Sequence, residues 1–180
     1  METVLLHTCC APCSSAIIEW MLQNEIRPLI YYYNPNIYPL SEYEIRKNEC
    51  SRYAAQHGLD IIDDDYKHDE WLDYISGHED QPECGTRCLE CFRMRMLASA
   101  QKANELSISR FTTTLASSRW KNLNQIATAG HWAASRYDGI EFWEKNWRKG
   151  GLSERRRILL AENRFYNQTY CGCEFSIRKL

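Results

Sequence analysis

The feature that most constrains this chain is the alternation of short apolar runs with stretches of helical length and period. Thr3–Thr8 reads as a buried strand. Pro12, Ser14 and Ser15 open a helix to about Gln23, with Ala16, Ile17, Trp20 and Met21 on one face. Arg27–Asn34 reads as a second strand, Ser41–His57 as a helix closed by Gly58, and Leu59–Asp63 as a third strand. A short helix near Asp69–Ile75, a long one over Thr86–Glu105, a strand at Ser109–Leu115 and a helix over Asn122–Gly130 follow. Such alternation builds a parallel sheet with helices on both faces. The expectation is one α/β domain: a Rossmann-like three-layer core over 1–130, carrying a helical, basic, cysteine-containing extension over 131–180.

In open sheets of this kind ligands bind beyond the carboxyl ends of the strands. Three unusual segments fall there: CCAPCSS after the first strand, NPNIYP after the second, and TTLASSRWKN after the fourth. The first holds Cys9, Cys10 and Cys13. Two further groups, Cys88 with Cys91 and Cys171 with Cys173, come from distant stretches. Cys88 and Cys91 are spaced to share a helix face. Gly172 lets the backbone between Cys171 and Cys173 come close to a bulky group. Cys50 lies at a helical core position, and Cys84 stands apart beside Pro82 and Gly85.

Nine cysteines in 180 residues would suit a disulfide-stapled secreted domain. The odd count, the adjacent pair Cys9–Cys10 and an amino-terminal METVLLHTCC without a basic n-region favour metal binding or thiol redox chemistry in the cytoplasm. No segment approaches the roughly 18 apolar residues of a membrane span. Four thiolates suit zinc or an iron–sulfur cluster. Seven exceed one four-ligand site and imply a second metal or a redox dithiol nearby. A structural zinc site in an RNA-binding module remains an alternative. His57, His68, His78 and His131 have no ligand-like spacing and read as ordinary polar or core residues. His7 reads as core, and Tyr38 and Tyr43 lie where they could stack on a base.

A strand–loop–helix start with further βα units is how ATP-pyrophosphatase domains of the HUP/PP-loop kind are built. Those carry a Gly- and Ser-rich loop that cradles phosphate. CCAPCSS has no glycine, which argues against ATP use and against a tRNA thiolation enzyme that activates its base with ATP. Charge is divided: residues 1–86 hold 5 Lys and Arg against 16 Asp and Glu, and residues 87–180 hold 17 against 8. That asymmetry suggests a polyanion on one side, with Arg87, Arg93, Arg95, Lys121, Arg148, Lys149 and Arg155–Arg157 facing it.

Five ordered motifs carry a specific resemblance: HTCCAPCS at 7–14, YYNPNIYPLSEYEIRK at 32–47, RCLECFRMR at 87–95, FTTTLASS at 111–118 and YNQTYCGCEFS at 166–176. They cover nearly the whole chain and resemble the QueH-type epoxyqueuosine reductases. The resemblance implies a [4Fe-4S] cluster with an adjacent mononuclear iron. It also implies a cobalamin-independent, two-electron deoxygenation of epoxyqueuosine to queuosine in tRNA, with an electron donor that the sequence does not name. Carried over by position, Cys9, Cys10, Cys88, Cys91, Cys171 and Cys173 match the family's thiols. Cys13 matches a Cys-or-Asp position suited to the second iron. Glu42, Tyr43 and Arg46 are candidates to orient the substrate or donate a proton, although Glu42 and Arg46 also suit an ordinary i,i+4 pair. One departure is Arg119–Trp120, where the family resembles Ser-Pro.

Overall fold

A computed structural model describes residues 1–64 and 66–177. Five strands form one sheet: β1 Glu2–His7, β2 Ile26–Tyr32, β3 Ile61–Asp63, β4 Arg110–Thr113 and β5 Glu141–Phe142. All are parallel, in the order β3-β2-β1-β4-β5, with Leu5 opposite both Leu29 and Phe111. The helices are α1 Ala11–Gln23, α2 Leu40–Gln56, α3 His68–Tyr74, α4 Thr86–Glu105, α5 Leu123–Ala134 and α6 Leu152–Glu162. Strand order reverses at β1, since β2 lies on one side of it and β4 on the other. That reversal opens a crevice at the carboxyl end of β1.

Successive β1 residues serve opposite faces, as the pleat requires. Val4 and Leu6 pack with Ile17 and Met21 of α1, Tyr53 of α2 and Leu159 of α6. Leu5 packs with Phe92 and Met96 of α4, Ile126 and Ala129 of α5, and Phe111 and Phe142. The sheet is thus covered on both faces, as the alternating sequence predicts. Residues 131–180, expected to be helical, also contribute β5 to the sheet edge. Two residues are too few to show a strand's period in the sequence. Among the described residues no helix is long and apolar enough to cross a membrane.

Candidate metal centre

The chain leaves β1 and turns at once into α1. Cys10 is the extended N-cap residue of that helix (φ −168°, ψ 157°), Pro12 occupies its first turn, and Cys13 follows. Proline is tolerated there because the first-turn amides lack helical partners. Cys9 Sγ lies 3.8 Å from Cys10 Sγ, and the three thiols Cys9, Cys10 and Cys13 lie within 4.8 Å of one another, all buried. Thr114, just beyond β4, accepts from the Cys9 amide at 3.2 Å and lies 3.5 Å from its Sγ.

These thiols share charge unequally. Hydrogen bonding with Cys10 and Cys13 holds the Cys9 thiol well below its usual range. Burial pushes Cys10 well above it. Cys13 is drawn down by Cys10, but its hydrogen bond with Cys9 and its burial push it up to about 11. Three buried thiols this close ionise together only if a cation replaces their protons. Gln168 donates from Nε2 to Cys10 Sγ at 2.9 Å and lies 3.9 Å from Cys13 Sγ, while its buried Oε1 has no hydrogen-bond partner among the described residues. Arg156 binds the Pro12 carbonyl at 2.9 Å and approaches Cys13 Sγ at 3.9 Å.

A second group forms where the first turn of α4 meets the end of the chain. Burial pushes Cys88 up to about 12, and the charges of Cys91, Cys171 and Cys173 add to the effect. Cys173 is pushed up to about 11 by burial and by Cys171 and Cys91. Cys91 and Cys173 are buried against Trp71 and Ile75, whereas Cys171 is exposed. Cys84 stays outside this set: its amide donates to Cys88 Sγ at 3.3 Å and its thiol to the Trp120 carbonyl at 3.4 Å. Cys50, on the inner face of α2, is buried in the core.

Two cations join the groups. Buried Arg95 donates to Asn34 Oδ1 at 2.6 Å and lies 4.0 Å from Cys91 Sγ. Burial alone would depress the Lys121 ammonium, but Cys171, Cys9 and Cys13 raise it above the usual lysine range. Arg95, expected on an RNA-facing surface, is buried beside the thiols, while Lys121 is only half-buried and senses them as well. Arg87 is also buried, holding the Glu79 and Gln81 carbonyls. Arg148 holds the carbonyls of Ser118 and Lys121, Arg155 pairs with Glu19 at 2.7 Å, and Arg157 pairs with Glu154 at 2.6 Å. Charge counting could not tell the solvated Arg157 from guanidiniums, such as those of Arg87 and Arg148, that satisfy backbone oxygens.

Glu42 and Arg46 form an i,i+4 pair at 2.7 Å, both buried. Arg46 also donates to the Cys171 carbonyl at 3.0 Å and the Tyr170 carbonyl at 3.3 Å, and Tyr166 donates to Glu42 at 2.7 Å. The pair therefore straps the closing cysteine segment onto α2. Gly172 sits under the strap with φ 139°, where a Cβ would lie 3.2 Å from Arg46 Nη1 and from Ile37. Tyr43 turns away, donating to Asp63 at 2.9 Å. His7 is buried between Thr113 and the Tyr33 carbonyl, and burial together with Arg95 lowers it to about 3, so the ring is neutral. His68 ties the Pro35 carbonyl (2.7 Å) to Glu174 (2.9 Å), joining the NPNIYP loop to the chain end. The sequence carries no signal for that link, nor for the pairing of Gln168 with Cys10 or of Arg156 with Pro12, because each spans more than 100 residues.

The family model described as epoxyqueuosine reductase QueH matches residues 4–179. Relatives named epoxyqueuosine reductase QueH include that of Histophilus somni, 49% identical over 97% of this chain and 72% of its own length. That of Haemophilus influenzae is 47% identical over 97% and 71%, and that of Thermotoga maritima 36% over 98% and 91%. Among solved structures, the U34-tRNA thiolase NcsA from Methanococcus maripaludis with its [4Fe-4S] cluster superposes with a TM-score of 0.53 at 10% identity. The match covers 99% of this chain and 63% of that one. At that identity the likeness concerns the fold.

Proposed function

The chain belongs to the epoxyqueuosine reductase QueH family, and from that premise we propose that its seven clustered thiols divide between two metal positions that together serve the deoxygenation of epoxyqueuosine in tRNA. The observation that carries the division is the spacing of Cys9, Cys10 and Cys13. Thiolates bound about 2.3 Å from one tetrahedral metal lie roughly 3.8 Å apart. The Cys9–Cys10 separation of 3.8 Å suits that arrangement. A four-iron cube holds its outer thiolates farther apart, since each binds a different iron. The triad would therefore hold a single iron through Cys9, Cys10 and Cys13. Cys88, Cys91, Cys171 and Cys173 supply the four thiolates of a [4Fe-4S] cluster. On this division Cys9 and Cys10 join Cys13 at the lone iron.

Epoxyqueuosine takes up two electrons and two protons and yields queuosine and water. When bound, the cluster supplies electrons singly at low potential and the lone iron supplies Lewis acidity. The protein's own groups do the rest. Arg95 and Lys121 offset the negative charge of the gathered thiolates. Gln168 and Arg156 donate toward the triad and hold its thiolates in place. Glu42 and Arg46 act as positioning residues by strapping down Cys171. CCAPCSS offers no glycine-rich phosphate cradle, which weighs against ATP-driven thiolation despite the fold likeness.

The test is turnover. Anaerobically reconstituted protein, a low-potential chemical reductant and tRNA carrying epoxyqueuosine should yield queuosine on nucleoside analysis. No conversion by protein that holds its iron and sulfide would overturn the reading.

A further inference from the structure

The segment after the Thr114–Ser117 turn carries an indole that neither metal position uses. Trp120 is the most exposed large aromatic side chain among the described residues, at 68%. Its backbone is held from several sides. Arg148 grips the carbonyls of Ser118 and Lys121, the Trp120 amide lies 3.4 Å from Ser118 Oγ, and the Cys84 thiol donates to the Trp120 carbonyl at 3.4 Å. Gln125 in turn fixes the Cys84 carbonyl at 2.8 Å. The Arg119 guanidinium lies 4.5 Å from the centre of the indole ring, on one side of it.

The place of this indole in the fold points to its use. Cys84, bonded to the Trp120 carbonyl, also donates to Cys88 of the four-thiol group. The next residue, Lys121, feels the charges of Cys9, Cys13 and Cys171. Trp120 therefore stands beside the thiols, on a backbone tied through Cys84 to Cys88 and followed by a lysine close enough to sense both groups. An enzyme that does chemistry on a base in a polynucleotide must draw that base out of its stack, which strips the neighbouring base of a stacking partner. Aromatic faces replace such partners for any base, and a guanidinium over the ring adds cationic character beside the backbone phosphates.

We propose that Trp120 is the stacking platform for the unpaired base adjoining the modified nucleotide of the tRNA, with Arg119 backing the indole; the inference rests on the functional reading above. The experiment measures affinity of the holoenzyme for tRNA carrying epoxyqueuosine and for the same tRNA made abasic at each flanking position in turn. Trp120→Ala should bind the intact tRNA roughly 5- to 150-fold more weakly, with an unchanged salt slope, because stacking releases no counterions. Trp120→Phe should retain most of the affinity. On tRNA abasic at the stacked position, wild type and Trp120→Ala should bind alike. Intact tRNA bound equally by wild type and Trp120→Ala would overturn the proposal, as would an undiminished loss on every abasic tRNA. Should Trp120→Ala fail to hold its iron and sulfide, the wild-type protein decides alone: it must bind one abasic tRNA more weakly by a similar factor, and equal binding of all would overturn the proposal. Failure of the functional reading is distinguishable, because it appears as absent queuosine formation by wild-type enzyme.

Discussion

At the scale of residues, the chemistry depends on where α1 begins. Cys13 lies in the first turn of that helix, where the free amides' partial positive charge offsets part of the burial that raises its thiol and favours any anion placed there. Cys13→Asp keeps charge and a donor atom, so it should retain iron at the triad and part of the turnover. Cys13→Ala should lose turnover while keeping the cluster's absorption, and an alanine variant with full activity would remove Cys13 from the mechanism. Gln168→Leu removes the donor to Cys10. Loss of such a supporting group typically lowers metal affinity about 10- to 100-fold, measurable by competition with a chelator. Unchanged iron retention would reduce Gln168 to a packing role. The thiols themselves were legible in the sequence because cysteine is rare and their spacings fit a helix face and a glycine-centred turn. Which three lie closest was not, since the sequence cannot say which sulfur atoms approach within 4.8 Å.

At the scale of elements, two contacts hold the site's frame. Arg46 of α2 neutralises Glu42 and caps the carbonyls of Tyr170 and Cys171. Arg46→Ala leaves a carboxylate buried without its partner, a change that costs about 3–5 kcal/mol. It should lower the urea midpoint and release iron and sulfide from the four-thiol group first. Glu42 and Arg46 were legible as an i,i+4 pair, but their hold on a segment 125 residues away was not. On the other face, a Cβ at Gly130 of α5 would lie 2.4 Å from the Phe142 ring. Gly130→Ala should therefore destabilise the fold by about 1–3 kcal/mol, read from chemical denaturation; an unaltered midpoint would mean that β5 yields freely. The long helix was legible to its ends, Thr86–Glu105, because its apolar period runs unbroken. β5 was missed because its place is fixed by pairing with β4 and by packing on α5, and both are tertiary.

At the scale of the whole molecule, the acidic first half and the basic second half interlock. Arg155 binds Glu19, Arg110 binds Glu2, and Arg156 reaches the start of α1. The charge asymmetry in the sequence is therefore spent partly on internal pairs, and the triple change of Arg155–Arg157 to Ala should alter α6 packing as well as any salt dependence of RNA binding. The α/β class and the gathering of reactive segments at the strands' carboxyl ends follow from topology, and were legible for that reason. What the molecule adds is three buried thiols gathered at the carboxyl end of β1. Iron and acid-labile sulfide counted per chain test the proposed division of the thiols most directly. Two metal positions require about five irons to four sulfides in anaerobically reconstituted wild type. Cys13→Ala should lose one iron and keep its sulfide, whereas Cys91→Ala should lose most of both. Sulfide lost on changing Cys13, or a wild-type ratio of one iron per sulfide, would contradict a lone iron at Cys9, Cys10 and Cys13.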